Sequence, residues 1–407
     1  MEIILYAIPG FILLMLVEWL YGLARGRNTY RLADTIASIS LGSISRMRGL
    51  LFLGFGFWFF AQATDGNHLL QLPDSGFGIW LFAMLAYDFS YYWFHRVSHE
   101  VNLFWAAHVV HHQSEDYNLG TALRQSGSGL IGFIFYLPWL YIGIPAEIFF
   151  ASGAINLVYQ FWVHTQHVNR IGVLEYVLVT PSNHRVHHAQ NKIYIDRNYG
   201  GILCIWDRMF GSFQDELPDQ PCIYGIRKPL HSYNPFWANV HVYWFTFLDS
   251  VHARRWQDKI KVWFKGPGWR PPGLDETHPI KKFPLEDFRK FDPPAAKSVR
   301  LYAFFQFFCA TLAGTGLLIV AQSWTTTELS VAISLIFLSL YLQSRFTEGR
   351  KLTMAFEVIK FGLIFVALNY LPLNSTFSLV LLIYLVISVL FLMYLATRRE
   401  LPITVRN

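Results

Sequence analysis

Apolar residues along this chain fall in long, nearly unbroken blocks, and those blocks set the first expectation. A bilayer span needs roughly 20 largely apolar residues. Ile3 to Leu23 qualifies, with Glu18 as its only charge. It is too long for a signal-peptide core, lacks a basic start and has no small-residue cleavage site behind it, so it reads as an uncleaved first span. Further blocks run from Leu50 to Ala63 (starting as early as Ile44), Phe77 to Phe94, Leu130 to Ile144 and Ala146 to Val163. After a polar stretch come Leu301 to Gln322, Leu329 to Leu342, Met354 to Leu371 and Phe377 to Ala396. The pattern predicts an all-α integral membrane protein with about nine transmembrane helices.

Basic residues orient the spans, because Lys- and Arg-rich loops stay cytoplasmic. Arg25, Arg27 and Arg31 follow the first span, whereas Ala63 to Ser75, Ser323 to Glu328 and Pro372 to Thr376 contain no Lys or Arg. The loop with Arg345, Arg350 and Lys351 and the tail with Arg398 and Arg399 are basic. Alternation places the N-terminus outside and the C-terminus in the cytoplasm. Arg46 and Arg48 fit if Leu32 to Arg48 forms a separate interfacial helix ahead of the second span.

Composition agrees with membrane residence. Of 407 residues, 53% are hydrophobic and 15% charged, against about a quarter charged in soluble domains; mean hydropathy is +0.31. The net charge of +6 matches a basic cytoplasmic face beside anionic lipid and does not argue for nucleic acid. Cys204, Cys222 and Cys309 have no CxxC spacing, which leaves neither a disulfide framework nor a thiolate metal site.

Four segments follow: 1–75 with N-terminal transmembrane and interfacial helices, 76–215 with the candidate chemistry, a cytoplasmic linker over 216–299, and 300–407 with the last spans. The linker holds the turn-rich run Gly266-Pro-Gly-Trp-Arg-Pro-Pro-Gly273. The last four spans carry few ionisable residues and no histidine, which reads as scaffold.

Histidine changes the picture. Eight of the 15 histidines fall in three clusters: His95 with His99, His108 with His111 and His112, and His184 with His187 and His188. On a helix, spacings of three and four put side chains on one face, so each cluster converges imidazoles on a point. Neutral imidazole is the commonest nitrogen ligand for iron, zinc and copper. A lone histidine is usually a satisfied polar residue, and His68, His231, His241, His252 and His278 read that way. Eight nitrogen ligands exceed what one ion coordinates, so two metals are expected. A hydrolytic zinc site would want His-Glu-x-x-His, but Val101, Asn102 and Leu103 follow His99-Glu100. The carboxylate-bridging Glu-x-x-His pairs of soluble di-iron enzymes are also missing. Oxygen-activating iron fits better, though spacing alone leaves zinc open.

With these boxes the chain resembles the fatty acid hydroxylase and sterol desaturase superfamily of membrane di-iron enzymes, and within it the alkylglycerol monooxygenase branch. The resemblance rests on Tyr91-Tyr-Trp-Phe-His-Arg96, Ser114-Glu-Asp-Tyr-Asn-Leu119, Thr121-Ala-Leu-Arg-Gln-Ser126 and Tyr159-Gln-Phe-Trp-Val-His-Thr165. Ile195-Asp-Arg-Asn-Tyr199, Ile205-Trp-Asp-Arg-Met-Phe-Gly211 and Phe264-Lys-Gly-Pro-Gly-Trp269 extend it. It covers about Tyr87 to Phe213 continuously and implies an integral-membrane enzyme; the arginine and lysine pattern puts the centre at the cytoplasmic face (bacterial inner membrane or endoplasmic reticulum). The resemblance also implies two iron ions, O2, tetrahydrobiopterin as external electron donor, and an O-alkylglycerol lipid substrate cleaved to a fatty aldehyde and glycerol. His95, His99, His108, His111, His112, His184, His187 and His188 would be ligands, with His164 of the His-Thr pair as a ninth. His167 is incidental. Asn183 stands where the branch is expected to carry another histidine.

Metal-bound imidazoles usually donate their other N–H to an acceptor. Glu100 is the first candidate for that role, and Asp88, within a span, needs a partner. Glu115, Asp116, Asp196 and Asp207 are weaker candidates. Two rivals remain: a sterol or fatty-acid hydroxylase or desaturase fed by a cytochrome or ferredoxin, and a metal transporter or sensor. A transporter would string histidines along spans, whereas these sit at span ends.

Overall fold

A computed structural model describes residues 2–64, 68–125, 132–281, 283–350 and 352–398. Ser126, Leu130, Lys351 and Arg399 of the sequence expectations lie outside these residues. Among the described residues the chain is helical, and its only β pairing is two isolated bridges, Leu178–Leu203 and Ala189–Tyr224.

The helices are α1 (Glu2–Ala24), α2 (Leu32–Thr64), α3 (Phe77–Glu100), α4 (Asn102–His112), α5 (Leu119–Ala122), α6 (Leu137–Ile142), α7 (Ala146–Trp162) and α8 (Pro181–His187). Then follow α9 (Ile205–Met209), α10 (Pro235–His252), α11 (Trp256–Phe264), α12 (Leu274–Thr277), α13 (Lys297–Val320), α14 (Thr326–Thr347), α15 (Thr353–Ala367) and α16 (Ser375–Thr397). By length and composition four described helices can cross a membrane: Tyr6–Ala24, Lys297–Ser323, Thr326–Thr347 and Ser375–Thr397.

Three expectations change. Leu32 to Arg48 is not a separate interfacial helix; it runs unbroken into the next apolar block as the 33-residue α2. The block ending at Ile144 is no single span in its described part, because a short 3-10 turn at Phe133–Phe135 precedes α6, which stops at Gly143 with φ 111°. The last helices are not bland either: Glu357 and Lys360 are fully buried in α15.

The chain forms two compact units. The first comprises Met1–Tyr30, Phe57–Leu230 and Asn239–Arg289. In it α3 and α7 pack through Ile79, Ala83, Ala86, Ile148 and Phe149. Their contact is close at Gly153, where a Cβ would lie 2.6 Å from the Tyr87 ring. Extended backbone at Val101 separates α3 from α4, and so turns box one and box two towards each other. The second unit comprises Arg31–Gly56, His231–Ala238 and Lys290–Asn407. Its apolar layers join Met47, Phe307, Ile333 and Ile336 on one side and Tyr302, Phe361, Leu385 and Leu392 on another. Thr325 and Glu328 cap α14 reciprocally, which is the expected start of a helix after a turn.

Candidate metal centre

The three boxes and His164 do converge, but box by box they do not map onto metal positions. Side-chain nitrogens of His95, His99, His108, His112 and His187 lie within 4.8 Å of one another, and so do those of His111, His164, His184 and His188. Box one serves the first group alone. Box two sends His108 and His112, one turn apart, to the first group and His111 to the second. Box three sends His187 to the first group and His184 and His188 to the second. Helical periodicity accounts for the split, since i and i+4 share a direction that i+3 leaves by tens of degrees. His164, two residues past the end of the 17-residue α7, completes the second group.

Backbone carbonyls orient the rings. His95 Nδ1 donates to Tyr199 O (2.8 Å), His111 Nδ1 to Arg124 O (3.0 Å), His164 Nδ1 to Gln160 O (2.7 Å) and His187 Nδ1 to Arg197 O (2.9 Å). A carbonyl only accepts, so the proton sits on Nδ1 and the lone pair on Nε2. Two of these rings then meet lone pair to lone pair: His164 Nε2 lies 3.3 Å from His111 Nε2. No hydrogen bond joins them in that tautomer; a cation between them would turn repulsion into shared coordination. The spacing fits, because cis nitrogen ligands at about 2.1 Å from a first-row ion are about 3 Å apart. His95 and His108 (3.0 Å), His112 and His108 (3.2 Å), and His184 and His164 (3.1 Å) show the same Nε2 separation. Nε2 of His99, His187 and His188 is buried with no hydrogen-bond partner.

Burial also keeps the rings in the ligating form. It lowers the pKa of His108, His112, His184, His187 and His188 well below the usual imidazole value, and that of His111 to about 4. Neutral imidazole is what a metal binds.

The carboxylates act differently from expectation. Glu100 turns to Arg96 (2.9 Å) at the surface and touches no imidazole. Asp88 has the partners its position demands: Asn156 Nδ2 (2.7 Å), Ile202 N (2.7 Å), Leu203 N (3.1 Å) and Trp206 Nε1 (2.9 Å). Asp207 accepts from Tyr199 N (2.7 Å), Gly200 N (2.8 Å) and Ser212 Oγ (2.7 Å). Both therefore hold the 199–206 loop, whose Tyr199 carbonyl in turn fixes His95. Gly201 allows this: a Cβ there would fall 2.8–2.9 Å from Tyr91, Asn156 and Asp88. Asp196 lies 3.8 Å from His99 Nδ1. Glu115 and Asp116 are buried in the loop after α4.

Asn183 belongs to neither group; it donates to Leu178 O (3.3 Å) and its carbonyl accepts from Asn198 (2.9 Å). His167 packs edge-on to Tyr21, outside both groups. Sequence reasoning passed over three supports. Arg124 donates to Val110 O (2.8 Å) at the end of α4 while its own carbonyl takes the His111 proton. The Tyr199 hydroxyl is buried without a partner, its ring 5.4 Å from that of His99. Glu18 of α1 accepts from Thr165 Oγ1 (2.5 Å), Leu119 N (2.8 Å) and the Tyr30 hydroxyl. A charge inside a span was the available signal for Glu18.

The comparisons with known proteins point the same way. Residues 80–212 match the model of the fatty acid hydroxylase family. The chain is similar to the alkylglycerol monooxygenases of Homo sapiens and Danio rerio, each 40% identical over 74% of this chain and 68% of the relative. It is 38% identical to that of Xenopus tropicalis over 73% of this chain and 66% of the relative. No solved structure matches.

Proposed function

The chain belongs to the alkylglycerol monooxygenase family, and on that premise we propose that it is a membrane di-iron monooxygenase. It hydroxylates the alkyl chain of an O-alkylglycerol next to the ether oxygen, giving a hemiacetal that parts into a fatty aldehyde and glycerol. The observation that carries the reading is the His111–His164 contact, in which two acceptor nitrogens face each other 3.3 Å apart within nine clustered imidazoles.

On this reading His95, His99, His108, His112 and His187 hold one iron, and His111, His164, His184 and His188 the other. The iron pair supplies the O2-derived oxidant that an unactivated C–H bond requires; acid–base groups cannot remove such a hydrogen. The protein's own share is holding, orienting and drying. The Nδ1–carbonyl bonds fix ring direction, with Asp207 acting through Tyr199. Trp105, 5.1 Å from the His99 ring and 5.6 Å from His112, and Tyr117, stacked on Tyr224 and His164, shut water from the imidazoles. Hemiacetal collapse needs only the hydroxyl proton to move to the departing glycerol oxygen. Tetrahydrobiopterin supplies the electrons from outside. Residues 76–215 form the catalytic domain, flanked by segments 1–75, 216–299 and 300–407.

Membranes carrying the protein, given tetrahydrobiopterin, oxygen and an alkylglycerol, should release a long-chain aldehyde, and omitting the pterin should stop it. Turnover with a ferredoxin instead keeps the substrate and discards the donor. Oxidation of a sterol or fatty acyl chain, with no turnover of ether lipid by any donor, moves the chain to the hydroxylase or desaturase reading. The iron centre faces the cytoplasm, from a multi-pass chain with its N-terminus outside. Cysteine labels near Gln71 and Ser323 should then react from outside and labels near Arg27, Asn191 and Lys281 from the cytoplasm. External labelling at Asn191 would overturn that orientation.

A further inference from the structure

The segment read as a linker contains an apolar surface unrelated to the metal site. Along α10 the exposed side chains Val240, Trp244, Phe247 and Val251 follow at intervals of four, three and four, which puts them on one face of a helix. On α11 Trp256, 68% exposed, and Ile260 continue a stripe of the same spacing. The opposite sides are buried, with Thr246 on α10 and Asp258 and Val262 on α11. Arg254 and Arg255, between the helices, and Lys261 and Lys265 are all exposed. The only acids from 240 to 265 are Asp249 and Asp258. The first is paired with Arg270 through two hydrogen bonds (2.8 and 3.0 Å), and the second is buried. The exposed charge of the hairpin is therefore entirely positive.

Neither helix combines the length and the apolarity that mark the spanning candidates. α10 is not among the described helices apolar enough to cross a membrane, and the nine residues of α11 reach about half of a hydrocarbon core roughly 30 Å thick. Aromatic rings on one face with arginine and lysine along its rim are what a bilayer interface takes up, the rings at headgroup depth and the cations against anionic lipid. A bilayer is at hand, because the same unit carries the spanning candidate Tyr6–Ala24.

We propose that Val240 to Lys265 is an interfacial anchor that lies in the headgroup region of an anionic bilayer and fixes the depth of the metal centre. The coupling is direct. Asn102, which opens α4, donates from its side chain to Thr246 Oγ1 (2.9 Å) on α10 and to Val262 O (3.0 Å) on α11. Its backbone N–H donates to Lys265 O (2.9 Å). α4 carries His108, His111 and His112. The hairpin thus presents its apolar side outward and clamps the box-two helix with its inner side, so membrane level and imidazole level are set together. The anchor stands on exposure and charge, whatever lipid the centre oxidises.

The test uses the full-length protein, with its three native cysteines replaced, in vesicles of phosphatidylcholine with or without phosphatidylglycerol. A polarity-sensitive fluorophore on Ile260→Cys should be quenched about twofold or more better by lipid nitroxides near the headgroup than by ones near the chain end. The same fluorophore on Asp275→Cys, whose native side chain is 78% exposed, should be quenched by neither. Absence of quenching at 260 would mean that solvent or another protein covers the stripe, and would overturn the anchor. Stronger quenching from the chain end, or equal quenching at 275, would overturn it as well. Reversing Arg254, Arg255, Lys261 and Lys265 to Glu should abolish the extra quenching gained from phosphatidylglycerol while the iron content stays at the parent value. If that gain survives in a variant that keeps its iron, the anionic-lipid assignment falls.

Discussion

Each unit buries a polar cluster among apolar helices, and the two clusters are built in opposite ways. In the second unit Lys360 Nζ lies 2.6 Å from Glu357 Oε1 and 2.9 Å from Gln306 Oε1. Tyr302 donates to the same Glu357 oxygen, Tyr384 donates to Gln306, and Gln306 donates to Ser388. The cluster carries its own cation and its own anion, and it ties α13, α15 and α16 together. In the first unit nine imidazoles are gathered with their acceptor nitrogens turned on one another and with no cation of their own among them. Ionisable groups within membrane helices mark function by default, but the sum of charges distinguishes the cases. A self-neutralising cluster holds helices in register, whereas a cluster of acceptors alone is incomplete until something positive arrives.

The contrast can be broken most severely at the imidazoles. His111→Ala or His187→Ala should abolish turnover while leaving membrane insertion intact, and the parent protein should contain about two irons per chain by elemental analysis. One zinc and no iron would end the di-iron reading. Next in size is the second cluster. Lys360→Met alone leaves a buried carboxylate without its cation and should cost about 3–5 kcal/mol, read as loss of thermal stability in detergent. Adding Glu357→Gln should restore most of it, and iron content should not change in either variant. If the double variant is no more stable than the single, the pair is not self-contained.

A smaller effect is expected from Glu18→Leu. It removes the acceptor for Thr165 and Leu119, one residue from His164 and close to box two, and misplacing a ligand by a fraction of an ångström should slow turnover roughly tenfold to a hundredfold. Iron stoichiometry should fall from two towards one, since only the four-histidine group depends on His164. An unchanged iron count would detach α1 from the centre. The smallest change is Tyr199→Phe. Its hydroxyl has no protein partner, so unfolding should shift by under about 0.5 kcal/mol, and any fall in turnover then reports a role toward substrate.

What could be read from the sequence was whatever is local. Box spacings announced convergent imidazoles, the family resemblance of the His-Thr pair pointed to His164, and a lone Asp88 in a span announced that it needed partners. What could not be read was long-range. The division into five and four depends on which way each turn of α4 and α8 faces. Glu100 sits beside a ligand in sequence, but its carboxylate pairs with Arg96 one turn back. Carbonyl acceptors leave no mark in a sequence at all, since every residue has one. The Glu357–Lys360 pair was visible as charges three apart in an apolar block, yet the scarcity of charge around it suggested scaffold. That reading of purpose agrees with a self-neutralised cluster even though the helices are not bland.

The lone-pair contact between His111 and His164 also has a bearing on how much of this polypeptide a cell can keep. A ligand that binds only the folded chain raises its apparent stability with the logarithm of free ligand, and metal affinity of this kind is folding energy. When metal is scarce, nine crowded imidazoles weaken the fold itself, and quality-control proteases meet more of it unfolded. Iron starvation should therefore lower the abundance of the chain and not merely idle it, coupling its supply to that of the metal without any dedicated regulator.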